Sequence, residues 1–274
     1  GAIALPEFGT HFVRGMLEET IPTTFGELVR ISGLSHGTDV WLGNAETLIK
    51  EGTCTLRECI CIRDDIMLYL MRTGMPPEDS FSIAGRVRKG KGLTDKQEAL
   101  MRTYNVPEWY IGSCKKIAYM FPKAHAVAYV TSAMRIAWFK VYRPLVFYAT
   151  YFTVRADDFD AETMTGGRAK LEALIRAVSK QEATAKDEKT ATIAEVAMEM
   201  YARGYEFLPV DVYRSAATDF TVEDGRLRAP LNALPGVGKN AALSIVKARA
   251  SGEFLSKEEL CQRAGVSSAV ADAL

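Results

Sequence analysis

The stretch "LNALPGVGKNAALSIVKAR", residues 231–249, is the most specific local pattern in this 274-residue chain. It reads as a short apolar helix, a Pro235-Gly236-Val237-Gly238 turn and a second helix beginning near Lys239, which together make a helix-hairpin-helix. The glycines permit a tight turn and leave backbone N–H groups bare at the positive end of the next helix. Such groups can grip one phosphate without reading bases. Gly236, Gly238, Lys239 and Asn240 are therefore the expected DNA-binding positions of this motif. Residues 254–274, "FLSKEELCQRAGVSSAVADAL", look like a second, weaker copy with "AGVSS" in place of "PGVGK". The competing reading is a helical pair that binds protein. Just upstream, "TDFTVEDGRLRAP" (218–230) alternates in polarity around Asp224-Gly225, a dipeptide that tight hairpin turns prefer.

Elsewhere the signals are helical, and the fold class read from them is mainly α. Capping boxes stand at Thr24/Glu27, Thr55/Glu58, Thr94/Gln97 and Ser256/Glu259, each ahead of an apolar-periodic run. The first run is predicted to stop within "ISGLSHGTD" (31–39), with Gly33 ending the helix and Ser35, His36, Gly37 and Thr38 in a loop. The second is predicted over Leu56 to Arg72, and two charged, alanine-rich helices over 169–205. With 48% hydrophobic and 25% charged residues the chain can bury a proper core. It has no run of about eighteen apolar residues and no signal-peptide pattern at its start, which predicts a soluble, intracellular protein. Five cysteines, odd in number and unevenly spaced, argue against a disulfide framework. The Cys54/Cys59/Cys61 spacing fits no usual zinc pair, so buried helical thiols are expected.

Net charge is zero, yet its distribution is uneven. No acid occurs between Glu108 and Asp157, while Lys115, Lys116, Lys123, Arg135, Lys140, Arg143 and Arg155 all do; "GRVRKGKG" (85–92) adds Arg86, Arg88, Lys89 and Lys91. Within this basic centre lies "YMFPKAHAVAYVTSAMRIAWFK" (119–140). On a helical wheel Val127, Val130, Met134, Ala137, Trp138 and Val141 share one side, predicted to be core. His125, Tyr129, Ser132, Ile136 and Lys140 share the other, with Arg135 at its edge. Pro122 suits a helix start, and a helix N-terminus with Lys123 beside it is a natural phosphate site. The plain alternative is a core helix whose wet side is incidentally basic.

Taken in order, "ISGLSHGTDVWLGNA", "RDDIMLYL", "VRKGKGLT", "VPEWYIGSCKKIAYMFPKAHAVAYV", "FYATYFTVRADDFD" and "LPGVGKNAALSIVKAR" resemble successive pieces of the PolC-type DNA polymerase III alpha subunits. The resemblance covers essentially the whole chain. It implies polymerase fingers over 1–155, a helical connector over 156–217, and a β-hairpin with tandem helix-hairpin-helix over 218–274. It further implies that Lys123, His125 and Tyr129 contact an incoming dNTP, and that Ser32, Ser35, His36, Arg86, Lys89, Lys91, Lys116 and Phe121 lie on the same cleft. Arg135 and Lys140 would join the hairpin residues in holding DNA. Expected partners are primer–template DNA, dNTP, the sliding clamp and other replisome subunits, with no membrane. The expected location is the bacterial cytoplasm, at the nucleoid.

In that family the catalytic aspartates and their Mg belong to a palm domain that nothing here resembles. The resemblance therefore implies a C-terminal portion of a larger nucleotidyltransferase that binds no cofactor itself and is inactive alone. The alternative function is a stand-alone, non-sequence-specific DNA-binding module without catalysis. A third reading is a purely structural helical domain.

Overall fold

Capping chemistry sets where several helices begin. In the computed structural model, which describes residues 1–178 and 184–274, Thr24 accepts from the Glu27 N–H while Glu27 accepts from Thr24 N, and this reciprocal pair opens a helix over Phe25–His36. Thr94 and Gln97 repeat the arrangement ahead of Asp95–Thr103. The chain divides by packing into two units, Gly1–Arg135 and Ile136–Leu274.

The first unit holds α1 (His11–Thr20), α2 (Phe25–His36), a kinked turn at Trp41–Ala45, α3 (Glu46–Lys50), α4 (Arg63–Arg72), α5 (Pro77–Arg88), α6 (Asp95–Thr103), α7 (Glu108–Lys116) and the start of α8 (Lys123–Tyr142). Its core gathers Ile31, Leu34, Ile66, Leu70, Ile83, Val87, Met101, Ile111, Ala126 and Val130, all buried. Two expectations are corrected here. Helix α2 does not end at Gly33 but runs on to His36, with Gly37 as its C-cap. Gly33 is instead a packing position: a Cβ there would overlap Ile62 Cγ2 and stand 2.8 Å from the Cys61 carbonyl oxygen. The run predicted over Leu56–Arg72 is helical only from Arg63. Glu58 reaches back to Thr55 N as expected, but the Thr55 hydroxyl also donates to Glu58 while Glu58 N–H donates to the Thr55 carbonyl, so the pair closes a single turn rather than a full capping box. Asp65 caps α4 by accepting from Cys61 N (3.0 Å) and Ile62 N (3.1 Å).

All five cysteines are free thiols, and Cys54, Cys59, Cys61 and Cys114 are buried. Contrary to the helical expectation, Cys54, Cys59 and Cys61 lie in the turns before α4 rather than on a helix.

The second unit contains the rest of α8, then α9 (Pro144–Thr153), a 3-10 turn at Ala156–Asp158, α10 (Ala161–Met164), α11 (Arg168–Val178) and α12 (Ala185–Ala202). Part of the alanine-rich helix predicted from 169 lies outside the described residues. Thr184 and Asp187 form a reciprocal cap for α12. A three-stranded sheet follows, β1 (Phe207–Leu208), β2 (Thr221–Glu223) and β3 (Arg226–Arg228), in the order β1-β3-β2. β2 and β3 are the predicted hairpin, turning through Asp224 (φ 49°) and Gly225 (φ 76°). Positive φ at both central residues matches the handed twist of the strands they join. β1 pairs parallel to β3, an addition that two residues of sequence could not announce. Phe152, Phe159, Phe207 and Phe220 form an aromatic core beneath the sheet, with ring centroids 4.9–6.1 Å apart.

A 3-10 turn (Leu231–Ala233), α13 (Lys239–Arg249), α14 (Lys257–Ala264) and α15 (Ser268–Asp272) complete the unit. They share a separate core of Leu231, Val237, Ala242, Ile245, Leu260, Ala264 and Ala271. The apolar helix predicted before Pro235 is thus a single 3-10 turn. The mainly α class, with a short β-hairpin ahead of the final helices, is as the sequence indicates.

Candidate nucleotide and nucleic-acid interfaces

The helical wheel for α8 has Val130 buried as expected but misplaces most of its core stripe. The buried positions are Ala126, Val130, Ala133 and Lys140, whereas Val127, Met134, Trp138 and Val141 are exposed, Trp138 at 49%. The reason is side-chain size: the buried stripe at i, i+4 and i+7 is Ala126, Val130 and Ala133, whose small side chains let the helix approach its neighbours closely, and a wheel weighted toward large apolar groups picks the wrong stripe. Lys140 is the second correction. It does not face solvent among the expected DNA-contacting cations. Its ammonium is enclosed 2.8 Å from Glu199 Oε1, with the Phe147 ring 5.5 Å away. Glu199 also accepts from Tyr148 (2.7 Å), whose hydroxyl accepts from Arg203 (3.1 Å). His125, Tyr129, Ser132 and Arg135 are exposed as expected.

Around the start of α8 the first unit brings distant segments together. Thr38 and Tyr119 pair as an antiparallel bridge, Thr38 N donating to Tyr119 O at 2.9 Å and Ala118 N to Thr38 O at 3.1 Å. On the other side of residues 118–120, Met120 N donates to Arg88 O at 3.4 Å, and a Cβ on Gly90 would overlap the Ala118 carbonyl oxygen. "SHGT" and "RKGKG" therefore flank the segment that leads into Phe121. Lys89 and Lys91 are exposed there; Arg86 is half-buried and donates to the Lys91 carbonyl at 3.2 Å. Lys116 donates to the Gly43 carbonyl at 2.8 Å, which fixes its position beside the kinked turn.

The Phe121 ring is the centre of the next group. Its centroid stands 4.8 Å from His36, 6.0 Å from His125 and 6.4 Å from Tyr129. Ser32 is only 1% exposed and Ser35 half-buried; Ser35 donates to Ser32 O at 3.0 Å. Ser32 Oγ donates to Glu7 Oε2 at 3.1 Å, and the same oxygen meets His36 Nε2 at 2.8 Å. Sequence reasoning missed Glu7, because an isolated acid in "ALPEFGT" carries no motif.

Lys123 belongs to a neighbouring cleft of about 450 Å³ lined by Phe25, Arg30, Arg57, Ile62, Asp65 and Val127. Arg30 bonds both Asp65 carboxylate oxygens, at 3.2 and 3.3 Å. Burial pushes the Asp65 carboxyl above its ordinary value, opposed by Arg30 and by the N–H groups of Cys61 and Ile62. Arg30, Arg57 and Asp65 had no sequence signal beyond their charge.

In the second unit Gly236 has φ 84°, Val237 is buried, and Pro235, Gly236, Gly238, Lys239 and Asn240 are all exposed. Gly238 caps α13 without a side chain, so the first-turn N–H groups are not covered by one. Val237 anchors the loop in the core, and the glycines hold the backbone outward around it. In the second copy Gly265 (φ 65°) ends α14, its N–H donating to Cys261 O.

Helical fingers and a helix-hairpin-helix also define the class by comparison. Residues 2–104 match the family profile described as bacterial DNA polymerase III alpha subunit finger domain, and residues 204–274 match the helix-hairpin-helix motif. Over its full length the chain is 58% identical to a protein of Bacillus cereus and 56% identical to proteins of Clostridium perfringens and Bacillus subtilis, each named DNA polymerase III PolC-type. It spans 19% of the length of each of these relatives. The chain belongs, as a segment, to the PolC-type DNA polymerase III family. Among the described residues no helix is long and apolar enough to cross a membrane.

Proposed function

We propose that this chain is the part of a replicative DNA-directed DNA polymerase that positions the incoming dNTP with its first unit and grips primer–template duplex by its phosphates with the hairpins of its second. The observation that carries the reading is the 58% identity, over the whole chain, to a protein named DNA polymerase III PolC-type. The geometry supports it residue by residue. Exposed His125 and Tyr129 beside Phe121 and His36 offer ring faces for a base. Lys89, Lys91 and Lys123 supply exposed charge for a triphosphate. The bare loop at Gly236–Asn240 suits a backbone phosphate.

In this reading the parent reaction is attack of a primer 3′-hydroxyl on the α-phosphate, and this segment contributes positioning and charge neutralisation. Among the described residues no three His, Cys, Asp or Glu side chains gather in a way that could hold a metal ion.

The test is a double dissociation on the 274-residue chain. Lys123→Ala and His125→Ala are expected to weaken dNTP binding and spare duplex binding, while Lys239→Glu does the reverse. Duplex binding with no dNTP affinity would favour the stand-alone DNA-binding module. Binding of neither would overturn both readings.

A further inference from the structure

We infer that Glu7 is a positioning residue of the nucleotide site in the first unit: its carboxylate fixes His36 as the Nε2–H tautomer and holds the Ser32 hydroxyl, leaving His36 Nδ1 to accept an N–H from a nucleobase edge. The inference rests on the nucleotide reading above and adds to it the part of the nucleotide that this corner receives.

The local chain is built to deliver that carboxylate. Glu7 adopts φ 67°, a left-handed conformation that non-glycine residues avoid. Phe8, buried at 4%, anchors the next position in the core, and its N–H donates to Pro6 O at 2.8 Å. The side chain so directed is itself only 10% exposed. A carboxylate this enclosed needs hydrogen-bond donors, and Ser32 Oγ (3.1 Å) and His36 Nε2 (2.8 Å) provide them to one oxygen. Neither donor is near Glu7 in sequence; both come from the last turns of α2.

The donor assignment has a chemical consequence. A neutral imidazole that donates from Nε2 carries its lone pair on Nδ1. The His36 side chain is 43% exposed, and its ring sits 4.8 Å from Phe121. This corner therefore offers an acceptor nitrogen beside aromatic faces, with a negative carboxylate behind it. That carboxylate disfavours a phosphate and suits a base bearing N–H donors. The triphosphate is left to the cations of "RKGKG" and Lys123.

The chain contains three histidines, His11, His36 and His125, so imidazole 15N spectra resolve the question. In the wild-type chain His36 is expected as one tautomer with Nε2 protonated. In Glu7→Ala its two nitrogens should become averaged, while His11 and His125 stay unchanged and report that the fold is intact. Glu7→Gln, which keeps one acceptor, should restore part of the bias and carries the test should the alanine variant not fold. Titration with each of the four dNTPs should show binding weakened about tenfold in Glu7→Ala. An unchanged His36 tautomer in the variants overturns the inference. A changed tautomer with unchanged dNTP affinity overturns the role in the nucleotide site and leaves the nucleotide reading standing. Failure of the wild-type chain to bind any dNTP overturns the nucleotide reading itself, and with it that role, while the spectra still decide whether Glu7 holds His36.

Discussion

The Lys140 ammonium and the Glu199 carboxylate meet at 2.8 Å in an enclosed site, their side chains 5% and 11% exposed. This pair ties the end of α8 to α12, with Arg203 donating to the Lys140 carbonyl at 3.0 Å beside it. Removing one partner of a buried pair strands the other charge. Lys140→Ala is therefore expected to lower unfolding free energy by about 3 kcal/mol. Chemical denaturation measures it, and the salt dependence of duplex binding should stay as in the wild type. Arg135→Ala, at an exposed cation, should show the opposite pattern.

Glu27 gives a pH signature. Its carboxylate accepts from the backbone N–H of Thr23, from Arg57 and from Thr24, and these bonds lower its pKa from 4.5 to about 2. A group with a depressed folded pKa contributes stability above its unfolded value and loses it as pH falls toward the folded one. The stability difference between wild type and Glu27→Gln should be fully present above pH 4.5 and fade on acidification toward about pH 2. Denaturation midpoints across that range read it; a difference that is constant with pH would refute the assignment.

Gly33→Ala tests close packing under α2. The added methyl would overlap Ile62 and press on the Cys61 carbonyl. Overpacking of this kind costs about 1–3 kcal/mol. A thermal midpoint within a degree of wild type would mean that the segment before α4 yields freely.

Thiol reactivity should follow burial. Burial pushes the Cys54 thiol up to about 11, and the Cys61 and Cys114 thiols rise as well, again with burial as the leading cause. Cys261 is half-buried. Alkylation of the native chain followed by peptide mass mapping should label Cys261 first and the fully buried Cys61 and Cys114 last, because the thiolate is the reactive form.

Local rules wrote much of the fold into the sequence. Thr24/Glu27, Thr94/Gln97 and Asp224-Gly225 act through neighbours a few residues away, so their structures were legible. The "PGVG" loop was legible too, because its glycines have a backbone role. Longer-range packing was not. Gly33 is punctuation by spacing and a contact surface in fact, and that depends on Ile62, twenty-nine residues on. Lys140 looked solvent-facing until Glu199 appeared beside it. In the candidate site, Phe121, His125 and Tyr129 were visible because they share one helix and its entrance. Glu7 was not, since its meaning arises only when α2 folds over it.

Duplex binding as a function of salt tests the central claim most directly. If the chain holds primer–template DNA through phosphates, log K should fall linearly with log salt, by about 0.9 for each phosphate contacted. Lys239→Ala should weaken binding and make that slope shallower by about 0.9. Affinity independent of salt, or a Lys239→Ala variant with the wild-type affinity and slope, would contradict the account.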